Sequence, residues 1–428
     1  MQESLHTLVL AVLVTGIVVF DPRDGHPGSR PKYLLVVAGA VAAAALVLGG
    51  RRHERQRATP LRWPLLALLA FALLATLGSD HRRTAVYGYP GSYDGLITTA
   101  SFAVLFVATA RAYRRPDDVL RAVRVLWFGA GTGVLLFGLA QLVDRLVGAD
   151  TGWDWARPDI APWTIGSTLG NPNHLGALLA MLLPLAAIVA VVSRGRERRL
   201  VLAGVALAVV ELGVTASRGA WAAVVVAIAL LAVAFRKELR PHRRRVAVAA
   251  GATVALLAVV LVVLGAAGVT KVEPGDLART GPGTTLDLRF EVWSTAWRIA
   301  GDHPVLGVGP DVFPHVFPAY MSERFMLLYG PFTIANGAHN LFLNTLATLG
   351  VGGLVAFLAL VGTACASVKR AWGRLDDRSQ LLVAGLSAAL VAYLVQACLN
   401  TQTVSLSLCF WVFLGWLTAV TSEPAKED

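Results

Sequence analysis

Apolar residues in this chain gather into long blocks rather than the alternating patterns of soluble helices and strands. A helix crossing roughly 30 Å of hydrocarbon needs about 20 mostly apolar residues. Runs of that kind lie near 4–20, 33–49, 63–78, 95–113, 120–146, 173–193, 200–216, 219–235, 246–267, 340–365, 381–398 and 404–421, twelve in all. Only Ser217-Arg218-Gly219 separates the seventh from the eighth. An uninterrupted helix there would run to about 36 residues, too long for an ordinary span, so the pattern predicts a tight hairpin.

The polar positions between the runs alternate in kind. Short cytoplasmic loops of membrane proteins carry the excess of Lys and Arg. With the N-terminus inside, the inner loops hold Arg51 to Arg62, Arg111 to Arg124, Arg194 to Arg199, Arg236 to Arg245 and Lys369 to Arg378. These make twenty-four basic residues, against seven in the short outer loops. The alternation stays in phase with the helix count, because one missed helix would invert every loop after it. Both termini are therefore expected in the cytoplasm. One connection, 268–339, is much longer than the others and falls outside, with an amphipathic helix expected over 285–300. The predicted fold is an all-α polytopic membrane protein, a single transmembrane domain over 1–428 with that one extracytoplasmic insertion.

Composition agrees. Hydrophobic residues make up 56% of the chain and charged residues 15%, where a soluble domain usually carries about a quarter charged. The net charge of +11 is accounted for by loop arginines that set topology, so no nucleic-acid partner is implied. Cys365, Cys398 and Cys409 lie within apolar runs without CxxC spacing, which excludes a zinc ribbon or a disulfide framework. His174, His303, His315, His339 and Asp311 are ligand types on the outer side, but none pairs at metal-site spacing, so neither a metal nor a cofactor is expected. The opening MQESLHTLVL lacks a basic n-region and a cleavage site, and the first run reads as a retained helix.

The unusual polar residues fall on one side. YGYPGSYDG (87–95), TLGNPNHLG (168–176), TASRGAW (215–221), LRFEVW (288–293) and NGAHNLFLN (336–344) all map to the outer face. Arg218 stands where a helix begins, and the free N–H groups of a helix start together with a guanidinium fork suit a phosphate. An arginine snorkelling to lipid headgroups is the plainer reading of the position. Glu211, seven residues earlier on the same helix face, is expected to orient Arg218, because a carboxylate inside a span normally has a partner. Arg289 alone reads as a surface charge of the loop helix. His339 stands at the start of the tenth run, where the helix dipole favours the neutral imidazole and suits it to accept a proton. Asn173 reads as the cap of the sixth helix and His174 as a secondary site residue.

Three blocks together resemble the O-antigen ligase and polymerase family of membrane glycosyltransferases. They are TASRGAW, then LRFEVWSTAWRIAGDHPVLGVGPDVF (288–313) with its Arg-aromatic helix and Pro-x-x-Gly-x-Gly segment, and AHNLFLNTLATLGVGGL (338–354) with its His339-Asn340 helix start. NPNHLG fits a further family element, so the resemblance covers roughly 168–365. It implies a GT-C-like enzyme of the inner (cytoplasmic) membrane with its active site outside. Such an enzyme moves a glycan from a polyprenyl-pyrophosphate-linked donor to a glycan, glycolipid or protein hydroxyl, with inversion and without metal. The resemblance implies pyrophosphate binding for Arg218 and Arg289 and catalysis for His339, with Glu211, Asn340, Asn173 and His174 in support. Ligase and polymerase share these motifs, and polymerisation of lipid-linked repeat units is the alternative within the family. A lipid-linked glycan transporter or flippase would show repeated halves and midplane polar residues. A cell-wall glycan polymerase of the shape–elongation–division type would lean on an outer acidic residue, for which Asp311 is the weak candidate.

Overall fold

The computed structural model describes residues 2–20, 29–49, 59–147, 165–236 and 285–422, and among them every regular element is helical. In chain order the helices are α1 (Gln2–Val18), α2 (Ser29–Gly49), α3 (Arg62–Gly78), α4 (Arg82–Tyr87), α5 (Leu96–Ala112), α6 (Pro116–Leu126), α7 (Thr132–Val147), α8 (Pro172–Val192), α9 (Gly195–Val214) and α10 (Arg218–Ala234). After the undescribed stretch come α11 (Thr285–Asp302), α12 (Phe313–Tyr320), α13 (Glu323–Tyr329), α14 (Leu341–Ala371), α15 (Asp377–Ala397) and α16 (Val404–Thr421). A π-helical turn over Trp127–Gly131 joins α6 to α7 into one rod. The expected ninth span, 246–267, and the first part of the long loop lie outside the described residues. Each of the other expected runs coincides with a helix.

Among the described residues six helical segments are long and apolar enough to cross a membrane: Arg30–Gly49, Pro116–Asp144, Pro172–Val192, Leu341–Arg374, Asp377–Ala397 and Val404–Thr421. Four shorter apolar helices, α1, α3, α5 and α10, stand beside them. Leucines, valines and a tryptophan of α2, α3, α9 and α10 remain exposed, among them Leu48, Trp63, Leu73, Leu202, Val225 and Val233. Apolar side chains of that kind face lipid in a multi-pass membrane protein, which this chain is. Helix α16 is buried almost throughout and packs on α5 and α15, and α8 and α10 also pack on α15.

Helix ends follow local chemistry. Asp376 caps α15 by accepting from Ser379 N–H at 3.1 Å, and Thr403 caps α16. At α8 the expected cap, Asn173, is corrected by two residues. The cap is Asn171, whose Oδ1 accepts from Asn173 N–H at 2.8 Å, because Pro172 occupies the first helical position and has no N–H to satisfy. Between α9 and α10 the chain turns at Ala216, φ 50°, with Trp221 Nε1 donating to Leu212 C=O at 3.0 Å, but the two helices pack on α8 rather than along each other as a tight hairpin would.

Two ends of the bundle are distinguishable. Arg124 pairs with Glu197 at 3.3 Å and Arg378 with Asp117 at 2.6 Å, which gathers the starts of α6, α9 and α15 at one end. The starts of α8, α10 and α16 and the end of α15 lie at the other.

The loop helix α11 is fastened to α14 by an exchange of backbone hydrogen bonds. Helix α14 breaks at Gly350, φ 68°. Val308 N–H donates to Ala347 C=O at 3.0 Å and Gly309 N–H to Thr348 C=O at 2.9 Å, while Val351 N–H donates to Pro304 C=O at 2.8 Å. Only glycine serves at 350: a Cβ there would stand 2.2 Å from Val305 O. Beneath this joint Val292, Ile299, Phe313, Phe317 and Phe325 form a separate small core for α11 to α13.

Candidate functional site

The polar residues of four distant segments meet at the end of the bundle away from the ion-paired arginines. Arg289, on the second turn of α11, donates from its terminal nitrogen to Asn400 Oδ1 at 3.3 Å, in the turn between α15 and α16. Its neighbour Glu291 is committed elsewhere, accepting from Ser322 Oγ at 2.6 Å and pairing with Arg324 at 3.2 Å, while Arg324 also pairs with Asp287 at 2.7 Å. These contacts clamp α13 against α11 and leave Arg289 without a carboxylate among the described residues.

Arg218 is the first helical residue of α10, after Ser217 in the cap position. Ser217 makes no side-chain cap bond, so the first N–H groups of α10 are not capped from the side chain. Gly219 follows so closely on α15 that a Cβ would lie 2.5 Å from Gln396 Oε1 and 3.2 Å from Asn400 Nδ2. Asn400 thus touches both arginine-bearing helices. Burial and the charge of Arg218 both push the guanidinium of Arg289 down from its ordinary range, which means that two cations stand near each other.

His339 lies just before the cap of α14, with φ 49°. Asn340 is that cap, accepting from Phe342 N–H at 3.0 Å and Leu343 N–H at 3.1 Å. Burial, then the charge of Arg289, pull the His339 imidazole down to about 4, so it is neutral across the physiological range. His174, on the first turn of α8, lies within electrostatic range of His339 and of Lys32. Lys32 is buried, with its Nζ donating to Thr168 C=O at 3.0 Å. The sequence therefore supplies a line of cations and imidazoles from Arg218 through Arg289, His339 and His174 to Lys32. Around it Ser217 Oγ, Arg289 Nε, Gln396 Oε1 and Asn400 Nδ2 are buried without a hydrogen-bond partner among the described residues. Unsatisfied buried polar atoms are rare in native proteins, and four in one place mark a site that accepts a polar ligand.

Residues 212–358 match the family model for O-antigen ligase. The match spans about a third of the chain and makes this stretch similar to that family. It contains Arg218, Arg289 and His339, with the joint at Gly350 that relates the last two. His174, Gln396 and Asn400, which the fold brings to the same place, lie outside the matched stretch. No curated protein matches the chain.

Glu211 does not fill the role expected for it. It is fully buried in α9, and both its carboxylate oxygens lack a partner among the described residues. It packs on α7, where a Cβ at Gly138 would lie 2.6 Å from its Oε2. The seven-residue spacing shares a face with Arg218, but the turn at 215–217 takes Arg218 away from that face. Asn173 contributes its main chain, the carbonyl accepting from Gln396 Nε2 at 3.1 Å. Gln396 and Asn400 are not singled out by the sequence pattern. The polar run Asn400-Thr401-Gln402-Thr403 between two apolar helices, on the outer side of the predicted topology, is a signal that could have drawn attention to Asn400, while Gln396 sits inside an apolar helix and carries none.

Proposed function

We propose that the chain is an O-antigen ligase-type glycosyltransferase that transfers a glycan from a polyprenyl pyrophosphate carrier to an acceptor hydroxyl at the extracytoplasmic face of the membrane. The observation that carries this reading is that Arg218 lies within electrostatic range of Arg289, whose guanidinium is held by Asn400, and that the neutral His339 lies within range of Arg289. A diphosphate is the ligand such a pair suits: two guanidinium forks and the uncapped start of α10 complement its charge.

In the reaction, an acceptor hydroxyl gives its proton to the free ring nitrogen of His339 while its oxygen attacks the anomeric carbon. The bond from that carbon to the diphosphate oxygen breaks, and the electron pair leaves with the phosphate. Negative charge grows on the leaving group as the bond lengthens, so cations already in place lower the barrier. The excess of arginine at the opposite end of the bundle supports an extracytoplasmic site.

The deciding experiment is mass spectrometry of products from purified protein in liposomes, supplied with polyprenyl-pyrophosphate-linked oligosaccharide and candidate acceptors. A new glycosidic bond with release of polyprenyl pyrophosphate is expected. Movement of intact donor between leaflets without bond formation would overturn the reading in favour of a transporter.

A further inference from the structure

The segment 87–95 takes no part in the roles above, yet it is held in a costly conformation. Gly88 and Gly91 have φ of 90° and 104°, and Tyr93, which has a side chain to accommodate, has φ 53°. Residues of that kind persist at about 1 kcal/mol or more only where their surroundings impose them. Here Asp311 does so. Its Oδ2 accepts from Tyr89 N–H at 2.6 Å, Ser92 Oγ at 2.7 Å and Asp94 N–H at 2.9 Å, and Asp311 itself sits at φ 56°.

The imposed turn stacks the Tyr93 ring on that of Tyr33 from α2, with centroids 5.1 Å apart and planes 19° from parallel. Tyr87 lies within electrostatic range of Tyr33 and is 54% exposed. The carboxylate of Asp94 has no hydrogen-bond partner among the described residues. It lies within electrostatic range of Tyr393, and Tyr393 walls the same small cavity as His174, Gln396 and Asn400. Burial pushes Asp94 up to about 6, which still leaves it largely ionised at neutral pH. The segment thus adjoins the line that runs through His174 to His339.

Tyrosines at a membrane surface commonly serve as interfacial anchors. Anchoring, however, requires neither a strained backbone at Tyr93, nor a clasp on three donors, nor a half-buried carboxylate without a partner. Aromatic rings that can cover C–H faces, beside a carboxylate that accepts from hydroxyls, have the chemistry of saccharide recognition. We propose that Tyr33, Tyr87, Tyr93 and Asp94 form a saccharide-binding platform beside the transfer centre, with the rings stacking on sugar faces and Asp94 accepting hydrogen bonds from sugar hydroxyls. The proposal rests on the reading of Arg218, Arg289 and His339 as that centre. The saccharide belongs either to the donor glycan or to the acceptor.

The test uses full-length protein in nanodiscs and three probes: polyprenyl pyrophosphate without sugar, the same carrier bearing an oligosaccharide, and a free acceptor saccharide. Asp94→Asn keeps shape and removes charge, and Tyr87→Leu removes an exposed ring while keeping an apolar side chain. Each is expected to weaken binding of one sugar-bearing probe about tenfold or more while the sugar-free carrier binds as before. Tyr87→Phe, which keeps the ring, is expected to bind nearly as wild type. Loss on the glycan-bearing carrier identifies the donor glycan as the occupant, and loss on the free saccharide identifies the acceptor. Unchanged binding of both sugar-bearing probes by Asp94→Asn and Tyr87→Leu, or equal loss on all three probes, overturns the platform. Arg289→Ala serves as the control and is expected to lose both carriers. If it binds both normally, the reading of the transfer centre fails, while the Asp94 and Tyr87 results still decide the platform.

Discussion

Arg289 and Asn400 are joined by a 3.3 Å hydrogen bond across 111 residues of sequence, between a loop helix and the turn that links the last two helices. The bond gives the guanidinium a fixed direction without a carboxylate to neutralise it, and its Nε stays unsatisfied. Arg289→Ala is expected to lower kcat/KM for transfer by about 100-fold or more, the usual cost of a missing charge-stabilising donor. Arg289→Lys recovers little, since an ammonium lacks the planar fork. Asn400→Ala is expected to cost about tenfold by loosening the arginine. Single-turnover transfer in liposomes measures all three, and wild-type rates for Arg289→Ala would contradict the assignment.

The imidazole of His339 gives a pH signature. As the base it must be unprotonated, and its pKa lies near 4 in the folded protein. The rate assigned to it should therefore stay level from pH 8 to about 5 and fall as pH drops through 4. Arg289→Asn removes a neighbouring charge, so the acid limb should move upward in the residual activity. The same depressed pKa bears on stability. The unfolded chain takes up a proton near 6.5 that the folded chain does not accept until about 4. The stabilisation is complete above 6.5 and is lost as pH falls through that window. An acid limb that stays in place in Arg289→Asn would argue against the coupling.

Gly350 is irreplaceable for steric reasons. Gly350→Ala would drive a Cβ into Val305 O and force a side chain into φ 68°. A loss of about 3 kcal/mol or more is expected, combining backbone strain with a broken joint. Thermal unfolding in detergent measures it, together with faster hydrogen exchange at Val308, Gly309 and Val351.

Glu211 offers the opposite outcome. A buried carboxyl without a partner costs stability, so Glu211→Met is expected to raise the unfolding temperature, corresponding to about 1–3 kcal/mol. A lowered unfolding temperature would mean that Glu211 makes a favourable interaction.

The sequence pattern carried most of the helices because spanning segments need length and apolarity, both written locally. The loop helix expected over 285–300 is found at Thr285–Asp302, since its amphipathic period is also local. Arg218, Arg289 and His339 were legible through motif resemblance, and the fold brings them within electrostatic range of one another in series. Gln396 and Asn400 were not singled out, because an amide near a helix end has no periodicity and acquires meaning only when another segment arrives. Asn173 lies two positions past the true cap Asn171, because Pro172 starts the helix. Glu211 shows the limit of spacing arguments: a shared helix face predicts neighbours only while the helix continues, and this one ends at Val214.

The swap of main-chain partners around Gly350 acts as a ruler. It sets the distance from α11 to the start of α14 through peptide groups that every residue type possesses. Surface side chains of the insertion can then vary without disturbing the placement of Arg289 relative to His339. An inserted or deleted residue between Pro304 and Val351 would be a different matter, shifting the two halves of the chemistry out of step.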